Sequence, residues 1–150
     1  MRSRAAAALS LLLFTSSVLL LAHQQGQAED FRQFRGDAGQ GHSAERNLPI
    51  TWSETENIAW QAEIPGLGWS SPAIQGNQIW ITTAVDEGKS LQAICLDKST
   101  GAVVHNITVL EPENPGRVHN KNSHASPTPY IDGERVYVHF GGHGVGCVST

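Results

Sequence analysis

Short apolar runs separated by polar turns fill the chain from residue 29 to residue 150. No window of eleven or more residues there repeats its apolar side chains with the 3.6-residue period of an amphipathic helix. The runs are rich in β-branched and aromatic side chains, which is typical of strands. We therefore predict an all-β fold. The predicted strands cover residues 57–64, 73–75, 78–83, 91–96, 103–109, 130–132, 135–140 and 145–149.

Glycines mark two of the turns between these strands. Gly76 lies between the second and third predicted strands, and Gly133 lies between the sixth and seventh. In so short a connection, glycine supplies the positive φ that a tight hairpin requires. We therefore expect the flanking strands to pair as antiparallel hairpins.

The predicted strands carry apolar side chains on both faces. Ile79 and Trp80 point to opposite faces of one strand, and Val136 and Tyr137 do the same in another. Apolar groups on both faces indicate that both faces are covered. Because no helices are predicted that could cover these faces, we expect other sheets to cover them by stacking face to face.

One segment of the chain occurs twice. The sequence SPAIQGNQIWI at residues 71–81 matches TPYIDGERVYV at residues 128–138, and Cys95 in the strand that follows matches Cys147. Short strands that recur with a period of roughly 50 residues indicate the blades of a β-propeller. The repeat therefore predicts four-stranded antiparallel blades.

Several motifs resemble those of the pyrroloquinoline-quinone-like (PQQ-like) β-propeller repeat family. The turn at residues 95–101 (CLDKSTG) resembles the family's Ala-Leu-Asp-x-x-Thr-Gly turn, and one departure is His105, where the family usually has Trp. The resemblance extends over about residues 31–150 and is greatest to exported members of planctomycete type. The other matching features are Trp60 and residues 33–36 (QFRG), 68–72 (GWSSP), 121–129 (KNSHASPTP) and 138–141 (VHFG).

The resemblance also implies how much of a ring is present. Members of the family have about seven to eight blades, and a propeller needs at least about four to close. At about 40–45 residues per blade, residues 57–150 hold only the first two to three blades. We therefore expect a truncated chain, a fragment of the ring, in which residues 29–56 form an extended leader.

The N-terminal 28 residues have the layout of a secretory signal peptide. Arg2 and Arg4 precede an apolar run at residues 5–22, and the small residues Gly26 and Ala28 follow. We predict cleavage after Ala28 and export to the periplasm or the extracellular space. The alternative is an uncleaved anchor, since the run is about long enough to span a bilayer; only then is the membrane a partner.

Charge and cysteine content narrow the classes of partner. The formal net charge is −4, which argues against nucleic acid, because nonspecific binding to phosphates needs a basic surface. Cys95 and Cys147 are too few for a disulfide scaffold. They are predicted either as two buried free thiols or, because export favours oxidation, as one disulfide.

Four histidines are candidates for a metal site, although no metal is predicted. Imidazole is a common ligand of zinc and copper. The alternative interpretation is that these side chains hydrogen-bond loop backbone at the mouth of the propeller. The candidates are His119, His124, His139 and His143.

The leading functional hypothesis is an exported, noncatalytic PQQ-like propeller that serves as a scaffold or binding surface. Its partner would be a protein or another periplasmic ligand, and no catalytic residue or cofactor is predicted. The alternative is a PQQ-dependent oxidoreductase of the alcohol or sugar dehydrogenase type. In that case PQQ and calcium would be the cofactors and the active-site residues would lie beyond Thr150, because no cofactor-binding residue matches in this chain.

Overall fold

A computed structural model describes residues 29–150, which form an all-β structure as predicted. The predicted signal peptide and its cleavage site lie outside the described residues. Within the described part, no helix is long and apolar enough to cross a membrane. Two three-residue 3-10 turns lie at Asp86–Gly88 and Gly141–His143. The strands are β1 (Ala73–Gln75), β2 (Gln78–Val85), β3 (Ser90–Asp97), β4 (Val103–Leu110), β5 (Tyr130–Asp132), β6 (Arg135–His139) and β7 (Val145–Ser149).

The strands form two antiparallel sheets. The first has four strands in the order β1-β2-β3-β4, and the second has three strands in the order β5-β6-β7. Each strand pairs with its neighbour in the sequence. Gly76 and Gly133 occupy the two tight turns with φ values of 57° and 58°, as the hairpin chemistry predicts.

The internal repeat recurs in the hairpin registers. Trp80 of β2 pairs with Cys95 of β3, and Tyr137 of β6 pairs with Cys147 of β7. These four residues are the positions that the sequence repeat aligns with each other. The second sheet therefore reproduces the pairing of the first three strands of the first sheet.

The strand predicted at residues 57–64 is wrong. These residues form no strand. The side chain of Trp60 instead attaches the segment to the turn between β3 and β4. Nε1 of Trp60 donates a 2.8 Å hydrogen bond to the Lys98 carbonyl. The Trp60 ring lies against Gly101, where a Cβ atom would overlap it. The apolar residues of this segment pack on a turn and do not belong to a hydrogen-bonded strand pair.

The turn that receives Trp60 is organised by one carboxylate. Asp97 Oδ1 accepts hydrogen bonds from the backbone N–H groups of Ser99 and Thr100 and from the Thr100 hydroxyl. The Thr100 side chain and these N–H groups favour the ionised form and lower the pKa of Asp97. The turn closes with a 2.8 Å bond from Gly101 N–H to the Asp97 carbonyl.

The core lies between the two sheets. Residues that pair directly across a ladder share a face, so Trp80 and Cys95 point to the same side of the first sheet, and both are fully buried. They belong to one cluster with residues of the second sheet, which confirms that a sheet covers this face. The cluster comprises Ala73, Trp80, Ala84, Leu91, Ala93, Cys95, Ala125, Ile131, Val136, Val138 and Phe140.

The outer faces of the two sheets differ. On the first sheet, Ile94 is fully buried and Ile79 is half-buried. On the second sheet, Tyr130 and Val145 are exposed, and the Tyr130 ring stacks on Tyr137 with 6.2 Å between the centroids. Within the described residues, the expectation of cover on both faces therefore holds better for the first sheet than for the second.

The N-terminal leader is tied to both sheets. Phe31 forms an antiparallel bridge with Ile74 of β1. The carbonyl of the next residue, Arg32, accepts a 2.9 Å hydrogen bond from the N–H of Ile131 in β5. Since Ile74 and Ile131 are equivalent in the repeat, residues 31 and 32 link the same position of the two sheets.

The two sheets approach each other closely at Gly146 of β7. A Cβ atom at this position would overlap Cγ1 of Val109 in β4. Val109 is β-branched and therefore stiff at χ1, so it cannot easily move aside. A side chain at residue 146 is incompatible with the observed spacing of the sheets.

We expect Gly146→Ala to lower the free energy of unfolding by about 1–3 kcal/mol, the usual cost of overpacking a core. Chemical denaturation of the variant measures the loss. Gly142→Ala is the matched control, because Gly142 has open space around its Cα and no positive φ. Equal stability of the two variants would contradict the described packing of β7 on β4.

Candidate functional site

Two of the four candidate histidines meet in the structure. Nδ1 of His124 lies 3.3 Å from Nε2 of His143. The ring centroids are 5.3 Å apart, with an angle of 61° between the ring planes. The two residues are 19 positions apart in the sequence, so their spacing alone did not predict the pair.

The other two candidates bond to nearby backbone. Nδ1 of His119 accepts a 3.1 Å hydrogen bond from the N–H of Lys121, and Nδ1 of His139 accepts one of 3.3 Å from the N–H of Gly141. This is the local role that the alternative interpretation gave to all four histidines. Across residues 29–150, no three His, Cys, Asp or Glu side chains come together as a metal-holding group.

The histidine pair joins two equivalent hairpin tips. His124 comes from the long link between the sheets, and its ring packs on Gly88, which ends the 3-10 turn between β2 and β3. His143 belongs to the 3-10 turn between β6 and β7. That turn is closed by a 2.9 Å hydrogen bond from Phe140 N–H to the Gly144 carbonyl.

Gly88 is the residue that admits His124 to this position. Its φ is 94°, and a Cβ atom there would overlap Cδ2 of the imidazole. Only glycine combines this backbone conformation with so close an approach. The sequence signal was the glycine in the polar tip DEGK, but nothing in the sequence showed which side chain it accommodates.

A cleft of about 860 Å³ opens beside His124. Its size is within the range of small-molecule pockets, about 300–1,000 Å³. The walls are the tip between β2 and β3, the segment around Leu67 and the link that follows β4. The lining residues in the link are Glu113, Asn114, Pro115, Gly116, Val118, Asn122, Ser123 and His124.

The cleft has more acidic than basic side chains. Asp86, Glu87 and Glu113 line it together with Lys89. Asp86 and Glu87 have φ values of 50° and 57°, a left-handed conformation that costs about 1 kcal/mol or more for residues other than glycine. From the sequence, Asp86, Glu87 and Lys89 look like an ordinary solvated turn. Glu113 is interpreted as a solvated residue of the Pro-rich link rather than as part of a site.

The cleft wall lacks the arrangement that activates a serine nucleophile. Ser123 Oγ accepts a 3.0 Å hydrogen bond from Ala125 N–H and lies 3.5 Å from the hydroxyl of Ser126. His124, which would have to act as its base, is instead paired with His143. Within the described residues, Ser123 is therefore not hydrogen-bonded to a histidine base.

The two cysteines are free and differ in environment. Cys95 is fully buried between the sheets, and burial raises the pKa of its thiol to about 11. Cys147 is exposed on the outer face of the second sheet. The prediction of a buried free thiol is thus right for Cys95 and wrong for Cys147, because the outer face of the second sheet is open.

Comparison of the chain with protein-family models, with curated proteins and with solved structures gives no match in any of the three. The relation to the PQQ-like family accordingly stays a proposal.

In the chain of residues 29–150, whose second sheet leaves Cys147 exposed, we expect one of the two thiols to react rapidly with a colorimetric disulfide reagent at neutral pH. Cys147 is accessible, whereas Cys95 should react at least about 100-fold more slowly, since it is protonated and must first be exposed by opening of the sheets. The variant Cys147→Ser should lose the fast phase and Cys95→Ser should keep it. Two thiols that react at equal rates in the native protein would contradict the placement of Cys95.

Proposed function

We propose that this chain is part of an exported PQQ-like β-propeller that acts as a noncatalytic scaffold or binding surface. The observation that carries the proposal is the repeated register of the two stacked sheets. Trp80 and Cys95 in the first sheet correspond to Tyr137 and Cys147 in the second. Sheets of like register that stack face to face are what a ring of blades requires.

The outer face of the second sheet supports a further blade. In the first sheet, the face toward the neighbouring sheet holds the buried Trp80. The second sheet presents Tyr130, Tyr137 and Val145 on the side away from that core, and Val145 is 63% exposed. Exposed aromatic and aliphatic side chains on a sheet face are typical of an interface, and in a propeller the next sheet would cover them.

A binding role is supported by the position of the cleft. In propellers the loops at the blade ends are free to vary without changing the sheets. Here the cleft beside His124 is built from one hairpin tip and from the link between the sheets. Its mixture of acidic and apolar walls, with Glu113 and Leu67 among them, suits a partner that offers both polar and apolar groups.

We expect the full-length exported protein to show no quinone-dependent activity. The measurement is dye-linked oxidation of alcohols and sugars after incubation with PQQ and calcium, with a known quinoprotein apoenzyme reconstituted in parallel as the positive control. Dye reduction that requires both PQQ and calcium would reject the noncatalytic proposal in favour of a PQQ-dependent oxidoreductase.

A second prediction tests the ring separately from the activity. If a further blade covers Val145 in the full-length protein, Val145→Asp buries an unpaired charge and should lower the free energy of unfolding by about 3 kcal/mol or more. Val145→Thr, which keeps the shape without a charge, is the matched control and should cost far less. A loss of only about 0.5 kcal/mol for Val145→Asp, as is usual for surface positions, would argue against a covering blade.

A further inference from the structure

The histidine pair at the hairpin tips has the dimensions of a chelating site. Zinc–nitrogen bonds are about 2.0–2.1 Å long, so two ligand nitrogens of a tetrahedral ion lie about 3.3–3.4 Å apart. The distance between Nδ1 of His124 and Nε2 of His143 is 3.3 Å. Adjacent ligands of a square-planar ion with bonds of similar length would lie about 2.8–2.9 Å apart. The spacing therefore favours a tetrahedral ion.

The separation of the two ring centroids also agrees with a shared tetrahedral ion. Two imidazoles aimed head-on at each other across a 3.3 Å gap would have centroids about 5.6 Å apart, whereas two that share one tetrahedral zinc ion have centroids about 5.2 Å apart. The observed separation is 5.3 Å. The 3.3 Å distance between the two nitrogens is also longer than the roughly 2.9–3.0 Å that is typical of hydrogen bonds donated by N–H groups.

We propose that His124 and His143 form a two-histidine site for Zn²⁺ at the junction of the two sheets. The proposal does not depend on the PQQ-like assignment. The protein supplies two neutral nitrogen ligands, and water or a small anion completes the tetrahedron. His119 and His139 take no part, because their Nδ1 atoms accept bonds from local backbone.

Both ligands are held in place before an ion arrives. The His124 imidazole is packed on Gly88, which restricts the rotation of the ring. The backbone of His143 is fixed in a three-residue turn, where its backbone N–H donates a 3.1 Å hydrogen bond to the Phe140 carbonyl. Preorganised ligands lose less conformational freedom on binding, which favours capture of the ion.

The surrounding charges favour a cation. Asp86, Glu87 and Glu113 line the cleft that His124 borders, and Lys89 is the basic side chain beside them. An excess of acidic groups raises the local concentration of cations without direct coordination.

The test is calorimetric titration of the chelator-treated, full-length protein with Zn²⁺. We expect one ion per chain and a loss of affinity of at least about 10-fold in both His124→Gln and His143→Gln. His119→Gln is the matched control, because His119 is exposed and bonds to the N–H of Lys121 rather than to the turn that carries His143. Co²⁺ in place of Zn²⁺ should give the intense visible bands of tetrahedral cobalt.

Two results would overturn the proposal. One is the absence of stoichiometric binding to the wild-type protein, which would leave the pair as a hydrogen bond only. The other is unchanged affinity in His143→Gln. His143 lies on a turn at the end of the sheet, so this variant should keep its far-ultraviolet circular dichroism even if His124→Gln does not fold. The cobalt spectrum of the wild type gives an independent reading, and neither result bears on the quinone assay.

Discussion

The contact between the two sheets is the constraint on which the rest of the structure depends. A sheet with apolar groups on both faces cannot leave both faces in water. Trp80 of the first sheet is buried in one cluster with Val136 of β6 and Phe140, which follows β6. The contact is close enough that Gly146 has room for no side chain over Val109. Packing therefore fixes the spacing and the relative position of the sheets. The positions of the hairpin tips at the ends of the sheets depend on that packing.

The candidate site is a consequence of this stacking. Because the second sheet repeats the registers of the first, the tip between β6 and β7 lies beside the tip between β2 and β3. His124, on the link that joins the sheets, then reaches both tips: its ring rests on Gly88 and its Nδ1 faces His143. A change in the sheet contact would separate the two nitrogens, so the pair reports on the packing as well as on any ion.

Most of the sheet structure could be predicted from the sequence, because alternation, turn glycines and the repeat are local signals. The segment around Trp60 could not, since its apolar residues dock on the turn at Gly101 and contribute no ladder. The site was only partly predictable. Four histidines were candidates, but which two meet is decided by how the link crosses the tips, and that path carries no periodic signal. The acidic residues of the cleft, such as Asp86, look like any solvated turn in the sequence.

The cleft lies where the two copies of the repeat differ. The strands β2 and β3 are eight residues long, whereas β6 and β7 have five, so the first hairpin extends further and carries the strained tip with Asp86 and Glu87 at its end. The residues shared by the two copies lie mainly in the ladders and the core, as Trp80 and Ile131 do. The polar side chains that line the cleft belong to the unshared tip and to the link. For this reason the blade motifs inform the fold, whereas the function has to be sought at His124 and the residues around it.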